Sequence, residues 1–168
     1  EKICDLGLPP EDRTFDYYAC KEAVLPFDRF PGADMTLGPE MKSTGEVMGV
    51  APTFPAAYAK TQLAISYGLP TKGRVFISVR DRDKRAIIGV ARDLVGMGFE
   101  LVGTTGTAKA LRAAGIDCKS VRRASEMRPN IATMLSGGDI QLIINTPGGH
   151  DTRGDFYTLR QLAVRYRV

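Results

Sequence analysis

From residue 74 onward, short apolar runs alternate with amphipathic segments, and this alternation narrows the possible folds more than any other feature of the sequence. "RVFISV" at 74–79 is typical of a strand buried on both faces, and "RAIIGVARDLVGMG" at 85–98 follows it with helical spacing. Further strand and helix segments follow in turn: "FELVG" with "TAKALRAAG", "DCKSV" with "PNIATMLSGG", "DIQLIIN", and a last helix at about 155–166. Strands and helices that alternate in this way predict an α/β fold, a doubly wound parallel sheet with helices on both faces.

The spacing within these helices also predicts which side chains face the sheet. In the first of them we expect Ile87, Ala91, Leu94 and Val95 to point inward, because they recur at helical intervals. Pro129 suits the first position of its helix, where the N–H that proline lacks would have no partner in any case.

The first third of the chain is rich in proline and glycine. "PFDRFPGADMTLGPEMKSTGEVMGVAPTFP" at 26–55 predicts loops and short strands. Around it we place strands at about 17–25 and 46–50 and a helix at 54–67. The predicted buried face of that helix consists of Phe54, Ala57, Tyr58, Thr61, Ala64 and Ile65. "GLPTKG" at 68–73 indicates a boundary, so we predict a small α+β domain at 1–70 and the α/β domain at 71–168.

The composition is that of an ordinary globular protein, with 168 residues, 25% charged residues and a formal net charge of +4. The cationic residues are scattered, which argues against nucleic-acid binding and suits a small anionic ligand. Because no apolar run of eighteen residues and no signal pattern is found, we expect a cytoplasmic protein without membrane contact. Cys4, Cys20 and Cys118 form no CxxC pair, and only His150 could join them as a ligand, which predicts reduced thiols and no metal site.

Hydroxyl, amide and cationic side chains follow each strand of the predicted sheet. The loop after the first strand begins at Ser78 and reaches Lys84, and the second strand leads into Thr-Thr-Gly-Thr at 104–107. The later strands lead to Arg122, Arg123, Asn145 and Thr146. Because the carboxyl ends of parallel strands meet at one edge beside helix N-termini, we expect these donors to surround an anion, most simply a phosphate. Two plainer interpretations stay open: Thr-Thr-Gly-Thr as a simple helix cap, and "RDRDKR" as a solvated loop.

Longer stretches resemble a known family. "VFISVRDRDK", "GFELVGTTGTAKALRAAGI", "RPNI" and "LIINTPGG" closely resemble the C-terminal regulatory domain of carbamoyl-phosphate synthase large subunits, a member of the methylglyoxal-synthase-like superfamily. "YYACKEAVLPFDRFPGADMTLGPEMKSTGEVMGVAPTF" is similar to the stretch before it, the end of the second ATP-grasp synthetase unit. The resemblance implies a non-catalytic fragment of an ATP-dependent ligase that makes carbamoyl phosphate from bicarbonate, ATP and glutamine-derived ammonia for pyrimidine and arginine synthesis. It implies no cofactor in this fragment, and ATP, Mg and K in the parent enzyme.

The resemblance also implies a set of binding residues. An effector such as UMP or IMP is expected to place its phosphate on Lys84, Thr104, Thr107 and Arg123, and its nucleoside near Asn145 and Asp155. Arg123 stands where the bacterial pattern has lysine, and Pro147 where threonine can stand. Part of an ornithine site is expected at Glu22, Leu25 and Leu37. The other implied partners are the rest of the large subunit, the glutaminase small subunit and the regulatory domain of another large subunit.

Three other functions stay open at this point. Methylglyoxal synthase has a catalytic carboxylate in a Gly-Gly-Asp motif at the start of the third helix, where this chain reads "SEMRPNI", and the triplet at 137–139 comes after that helix instead. The cyclohydrolase of purine synthesis has patterns similar to "SVRDRDK" and "GTTGTAKAL" but does not share the first third of the chain. A purely structural module, with no ligand and a role in oligomer contacts, is the third. We expect His150 to lie in a solvated loop.

Overall fold

The computed structural model describes residues 2–7, 14–27, 29–30, 33, 37–65, 68–146, 148 and 153–168. The chain divides into two compact units, Glu1–Pro26 with Gly38–Leu69, and Phe27–Leu37 with Pro70–Val168. The assignment of residues 1–70 to an ATP-grasp tail and 71–168 to a regulatory domain stays a prediction. Of the helices in the described ranges, none combines the length and the apolar character that crossing a bilayer requires.

The first unit is a two-stranded antiparallel sheet with one helix packed on it. A short 3₁₀ turn at Ile3–Leu6 precedes strand β1 (Tyr18–Val24), which pairs with β2 (Gly45–Ala51), and helix α1 (Phe54–Ile65) follows. The helix lies so close to β2 that a side chain at Gly49 would collide with the carbonyl oxygen of Ala57.

The contact of α1 with this small sheet is narrower than predicted. Ala57 and Thr61 are fully buried, whereas Phe54 and Tyr58 are 54% and 42% exposed. The two aromatic rings stack on each other, with centroids 6.1 Å apart. The prediction that they belong to the buried face is therefore wrong, because a two-stranded sheet covers only the centre of the helix. Ala64, also predicted inside, is exposed.

The second unit contains a four-stranded parallel sheet. Its strands are β3 (Arg74–Ser78), β4 (Glu100–Gly103), β5 (Lys119–Ser120) and β6 (Leu142–Asn145), in the order β5-β4-β3-β6. The chain thus moves outward from β3 to β5 and then crosses back to place β6 on the other side of β3. This confirms the predicted parallel sheet, and β3 lies between two neighbours.

Helices cover both faces of this sheet. They are α2 (Ile87–Gly96), α3 (Thr105–Ala113), α4 (Ile131–Ser136) and α5 (Arg153–Tyr166). Successive side chains of a strand point to opposite faces, so Val75 and Ile77 lie in one apolar cluster with residues of α2 and α3, and Phe76 lies in a second cluster with residues of α4 and α5. The doubly wound α/β architecture is confirmed.

Two details of the helices differ from the predictions. Val95 is 44% exposed, because the inward face of α2 is completed by Ala91 and Leu94 and the next residue is rotated by about 100° away from it. Helix α4 begins at Ile131 rather than at Pro129. Its N-cap is Asn130, whose side-chain oxygen accepts the N–H of Thr133 at 3.2 Å, so the cap lies one residue after the proline.

Candidate functional site

A cleft with a volume of about 430 Å³ lies beyond the carboxyl ends of the four parallel strands. In an open α/β sheet this is where ligands bind, at the point where the strand order reverses. Its lining includes all six residues that the sequence predicted for an effector: Lys84, Thr104, Thr107, Arg123, Asn145 and Asp155. The structure brings these residues together, and their contacts with a ligand stay predictions.

Lys84 lies against the N-terminus of α3. A methyl group at Gly106, the second residue of that helix, would lie 3.1 Å from the Lys84 Nζ atom. The first hydrogen bond of the helix runs from the N–H of Ala108 to the carbonyl of Thr104, at 2.8 Å, so the N–H groups of the preceding turn have no carbonyl within the helix. The ammonium group and these N–H groups create a positive region at one end of the cleft.

Thr104 occupies the N-cap position of α3 but its side chain makes no capping hydrogen bond. Its Oγ1 instead donates to Oγ1 of Thr107 at 3.2 Å and lies 3.4 Å from Oγ of Ser78. Simple side-chain capping, one of the two plainer interpretations of this turn, therefore does not explain Thr104. The hydroxyl groups of two strand ends and one helix start meet at this position.

Thr107 is buried and binds the end of β3. Its Oγ1 accepts the N–H of Val79 at 3.2 Å and donates to the carbonyl of the same residue at 3.4 Å. A hydroxyl group has one hydrogen to donate, and here it is directed at the protein backbone. Thr107 therefore holds the start of α3 to the start of the loop that carries Lys84.

A second set of hydrogen bonds holds this loop to the other neighbour of β3. The backbone N–H of Arg80 donates to Oγ1 of Thr146 at 3.1 Å, and its Nε lies 2.7 Å from Oδ2 of Asp83. The hydrogen bond from the Thr146 hydroxyl, with a smaller effect of the Arg80 guanidinium, lowers the pKa of Asp83 below its ordinary value. The "RDRDKR" loop is thus partly fixed by its neighbours, so the solvated-loop interpretation holds only for its exposed members.

Lys84 is paired with a carboxylate of its own loop. Its Nζ lies 2.7 Å from Oδ1 of Asp81, and this hydrogen bond lowers the pKa of the Asp81 carboxyl group. The Lys84 side chain is 28% exposed and that of Asp81 is 95% exposed. The cation at the cleft is therefore largely enclosed, while the anion that it contacts is in solvent.

The other end of the cleft has a different character. Asp155, in the first turn of α5, accepts the N–H of Ser125 through Oδ1 at 3.1 Å, and so holds the β5–α4 loop to α5. Asn145 is the half-buried last residue of β6. Arg123, in contrast, lies on the side of the α3 N-terminus, because it lines a smaller adjoining cavity together with Thr104 and Gly106. It is exposed, and its backbone N–H donates to Oε2 of Glu126 at 2.6 Å.

An apolar wall completes the cleft, and none of its residues was among the predicted site residues. It is formed by Phe76, Ala124, Ile131, Phe156 and Leu159. Ala124 lies in the turn between β5 and α4, and the other four have the strand or helical periodicity of core residues, so no sequence signal separates a wall of the cleft from the core. The cleft offers a cationic, donor-rich end and an apolar surface, which suits a ligand with a phosphate and a flat organic group.

The Gly-Gly-Asp triplet at 137–139 lies away from the cleft. Oδ1 of Asp139 is 3.8 Å from Nη1 of Arg74, the first residue of β3, and so lies at the amino ends of the strands. The start of α4, where the lyase motif has its carboxylate, carries Asn130. His150 and Pro147 lie outside the described residues.

The predicted ornithine contacts fall in both units. Glu22 is half-buried in β1, where its Oε2 accepts hydrogen bonds from Oγ1 of Thr61 at 2.9 Å and from Nε2 of Gln62. Leu25 follows β1 and is half-buried, and Leu37, in the second unit, is 57% exposed. Their role in binding stays a prediction.

Comparison with known proteins agrees with this fold. The model of the family described as MGS-like domain matches residues 86–168. The C-terminal section of the carbamoyl phosphate synthase large chain of Methanopyrus kandleri is 50% identical over 169 residues, which cover 100% of this chain and 31% of that protein. The carbamoyl phosphate synthase large chain of Pseudomonas putida is 50% identical over 153 residues, 91% of this chain and 14% of that protein. That of Acidobacterium capsulatum is 51% identical over 155 residues, 92% of this chain and 14% of that protein.

The similarity extends through both compact units, and the chain spans less than a third of the length of each of these relatives. Residues 86–168 belong to the MGS-like domain family, and the chain as a whole is a relative of the C-terminal section of carbamoyl phosphate synthase large chains.

Proposed function

We propose that this chain is the regulatory portion of a carbamoyl phosphate synthase large subunit and that its cleft binds a nucleoside monophosphate effector such as UMP or IMP. One observation carries this proposal: the ammonium group of Lys84 lies against Gly106 at the N-terminus of α3, inside a cleft at the strand ends. A cation and free N–H groups that point at the same place are the usual components of a phosphate site.

In this proposal the phosphate binds between Lys84 and the N–H groups of the first turn of α3, next to Thr104 and with Arg123 at the rim. The nucleoside extends toward Asn145 and Asp155 and lies on the apolar wall. The cleft volume of about 430 Å³ is within the range usual for small-molecule sites. Thr107 contributes by holding the loop in place, because its hydroxyl hydrogen is directed at Val79.

The activity of the whole enzyme is part of the same proposal. The parent is an ATP-dependent ligase, which makes carbamoyl phosphate in the cytoplasm from bicarbonate, ATP and glutamine-derived ammonia, with ATP, Mg and K bound outside this chain. The glutaminase small subunit and a second large subunit are its partners. The chain itself carries out no chemistry. Its effectors shift the activity by the difference in their affinity for two states, typically about 1 to 3 kcal/mol.

Ornithine is proposed as a second effector, with Glu22 as the counter-charge of its amine. Support comes from the half-buried position of this carboxylate, which two side-chain donors hold in one orientation. Titration of ornithine into the chain and into a Glu22→Gln variant tests this proposal. Equal binding by both proteins would exclude the role of Glu22.

Calorimetric titration of the chain with UMP, IMP, uridine and inosine tests the effector proposal. We expect at least one monophosphate to bind and its nucleoside to bind much more weakly, because the phosphate supplies most of the charge-assisted hydrogen bonds. Equal binding of nucleotide and nucleoside would refute the phosphate site. No heat with any of the four would favour a structural module.

A further inference from the structure

The phosphate site of the proposed function already contains an anion that belongs to the protein. Oδ1 of Asp81 lies 2.7 Å from Nζ of Lys84. Both residues belong to the short turn after β3, in which the N–H of Lys84 donates to the carbonyl of Asp81 at 3.3 Å. The backbone therefore keeps the two side chains next to each other, and the carboxylate contacts the cation that a ligand phosphate would use.

Asp81 differs from Asp83 of the same turn and from Asp155 of the cleft lining. Asp83 is 28% exposed and accepts a hydrogen bond from Nε of Arg80 at 2.7 Å. Asp155 accepts the backbone N–H of Ser125 at 3.1 Å. The carboxylate of Asp83 therefore fixes the loop internally, and that of Asp155 holds the β5–α4 loop to α5. The Asp81 side chain is 95% exposed, and its ion pair with Lys84 is the contact that connects it to the cleft.

The charge of Asp81 opposes phosphate binding whichever way the phosphate enters. A lysine ammonium group has three donors, so Lys84 can hold the carboxylate and a phosphate together. The two anions would then lie within about 5 Å of each other and repel. If the phosphate instead displaces the carboxylate, the existing ion pair has to be broken first.

We propose that Asp81 is an internal competitor of the ligand phosphate, which keeps the affinity of the cleft for monophosphates below the value that Lys84 and α3 would give without it. This inference rests on the proposed function, because it concerns the same phosphate site. Asp81 is thus a residue that tunes affinity by occupying the binding cation.

The test is calorimetric titration of inorganic phosphate, UMP and IMP into the wild-type chain and an Asp81→Asn variant. Asparagine keeps an oxygen that can accept a hydrogen bond from Lys84, but it removes the negative charge of the carboxylate. We expect an affinity increase of about two- to five-fold for each ligand that binds, since exposed ion pairs of this kind are weak. Asp93→Asn is the matched control, because it removes the same charge from an exposed position on α2 outside the cleft lining.

A double-mutant cycle shows whether Asp81 acts through Lys84. In a Lys84→Met background the Asp81→Asn change should not alter the ligand affinity further, because the ammonium group that Asp81 pairs with is already absent. If Asp81→Asn raised the affinity as much in the Lys84→Met background as in the wild-type chain, or if Asp93→Asn raised it as much as Asp81→Asn, the effect would be one of general charge. Either result would overturn the inference. Unchanged or weaker binding by Asp81→Asn would overturn it too, with the proposed function intact. Absence of binding by every protein and ligand would overturn both.

Discussion

The hydroxyl of Thr107 binds both backbone groups of Val79, accepting its N–H at 3.2 Å and donating to its carbonyl at 3.4 Å. Thr107 is 1% exposed and Val79 is 8% exposed, so water cannot replace this side chain easily. The start of α3 and the end of β3 are therefore fastened together by one oxygen atom.

We expect Thr107→Val to lower the free energy of unfolding by about 1 to 3 kcal/mol, because the change of shape is small but the backbone groups of Val79 lose their partner. Urea denaturation measures the loss. Thr105→Val, at an exposed neighbouring position, is the control and should change stability by less than about 0.5 kcal/mol. Similar stability of the two variants would contradict the importance of this contact.

Lys84→Met should weaken UMP or IMP binding by about 10- to 100-fold, the usual worth of a hydrogen bond to a charged group. Lys84→Arg should lose less affinity, since the guanidinium keeps the positive charge, although it is planar and larger than the compact ammonium group. Lys109→Met removes the same charge from an exposed position of α3 outside the cleft lining and serves as the control in the same titrations. Equal losses in the Lys84 and Lys109 variants would indicate that only the net charge matters.

Gly106→Ala should separate ligand binding from folding. The new methyl group would lie 3.1 Å from Nζ of Lys84, the mobile end of a long side chain, so the fold can accommodate it while the ammonium group moves. We expect about tenfold weaker monophosphate binding and equal or slightly higher thermal stability, because alanine favours helix. In Gly89→Ala, a control on α2 where a methyl group meets no atom within 4 Å, the stability effect should appear without the binding effect.

Burial raises the pKa of the Cys118 thiol from 9.0 to about 11. Because the folded-state pKa lies above the unfolded one, the thiol contributes stability that is complete below about pH 9 and is lost as the pH rises toward 11. The difference in unfolding free energy between the wild-type chain and Cys118→Ala should therefore shrink over that interval. Denaturation at several pH values measures it, and a constant difference would contradict the raised pKa.

Thiol labelling of the native chain gives an independent check on the same residue. At pH 8 a maleimide should modify the exposed Cys4 readily and Cys118 hardly at all, because Cys118 is 1% exposed and stays protonated. Mass spectrometry of the peptides identifies the sites. Rapid labelling of Cys118 in the folded chain would mean that the interior between α3 and β5 opens often.

The parallel sheet could be predicted because β3 and β4 are apolar on both faces, and only burial from two sides explains such runs. The cationic end of the cleft could be predicted too, since Thr104 directly follows β4 and Lys84 lies in the loop after β3. The apolar wall could not be predicted, because Phe156 and Leu159 have the periodicity of core residues. Only the position of α5 in the fold brings both of them to the cleft. The ion pair of Lys84 with Asp81 depends on side-chain rotamers, which spacing does not determine.

Strand β3 has a hydrogen-bonded neighbour on each side, β4 and β6, and the residues just after it are held by Thr107 from one flank and by Thr146 from the other. The start of the loop that carries Lys84 is thus held in place without any ligand. For the monophosphate binding that we propose, this means that little conformational freedom of the loop would be lost on association.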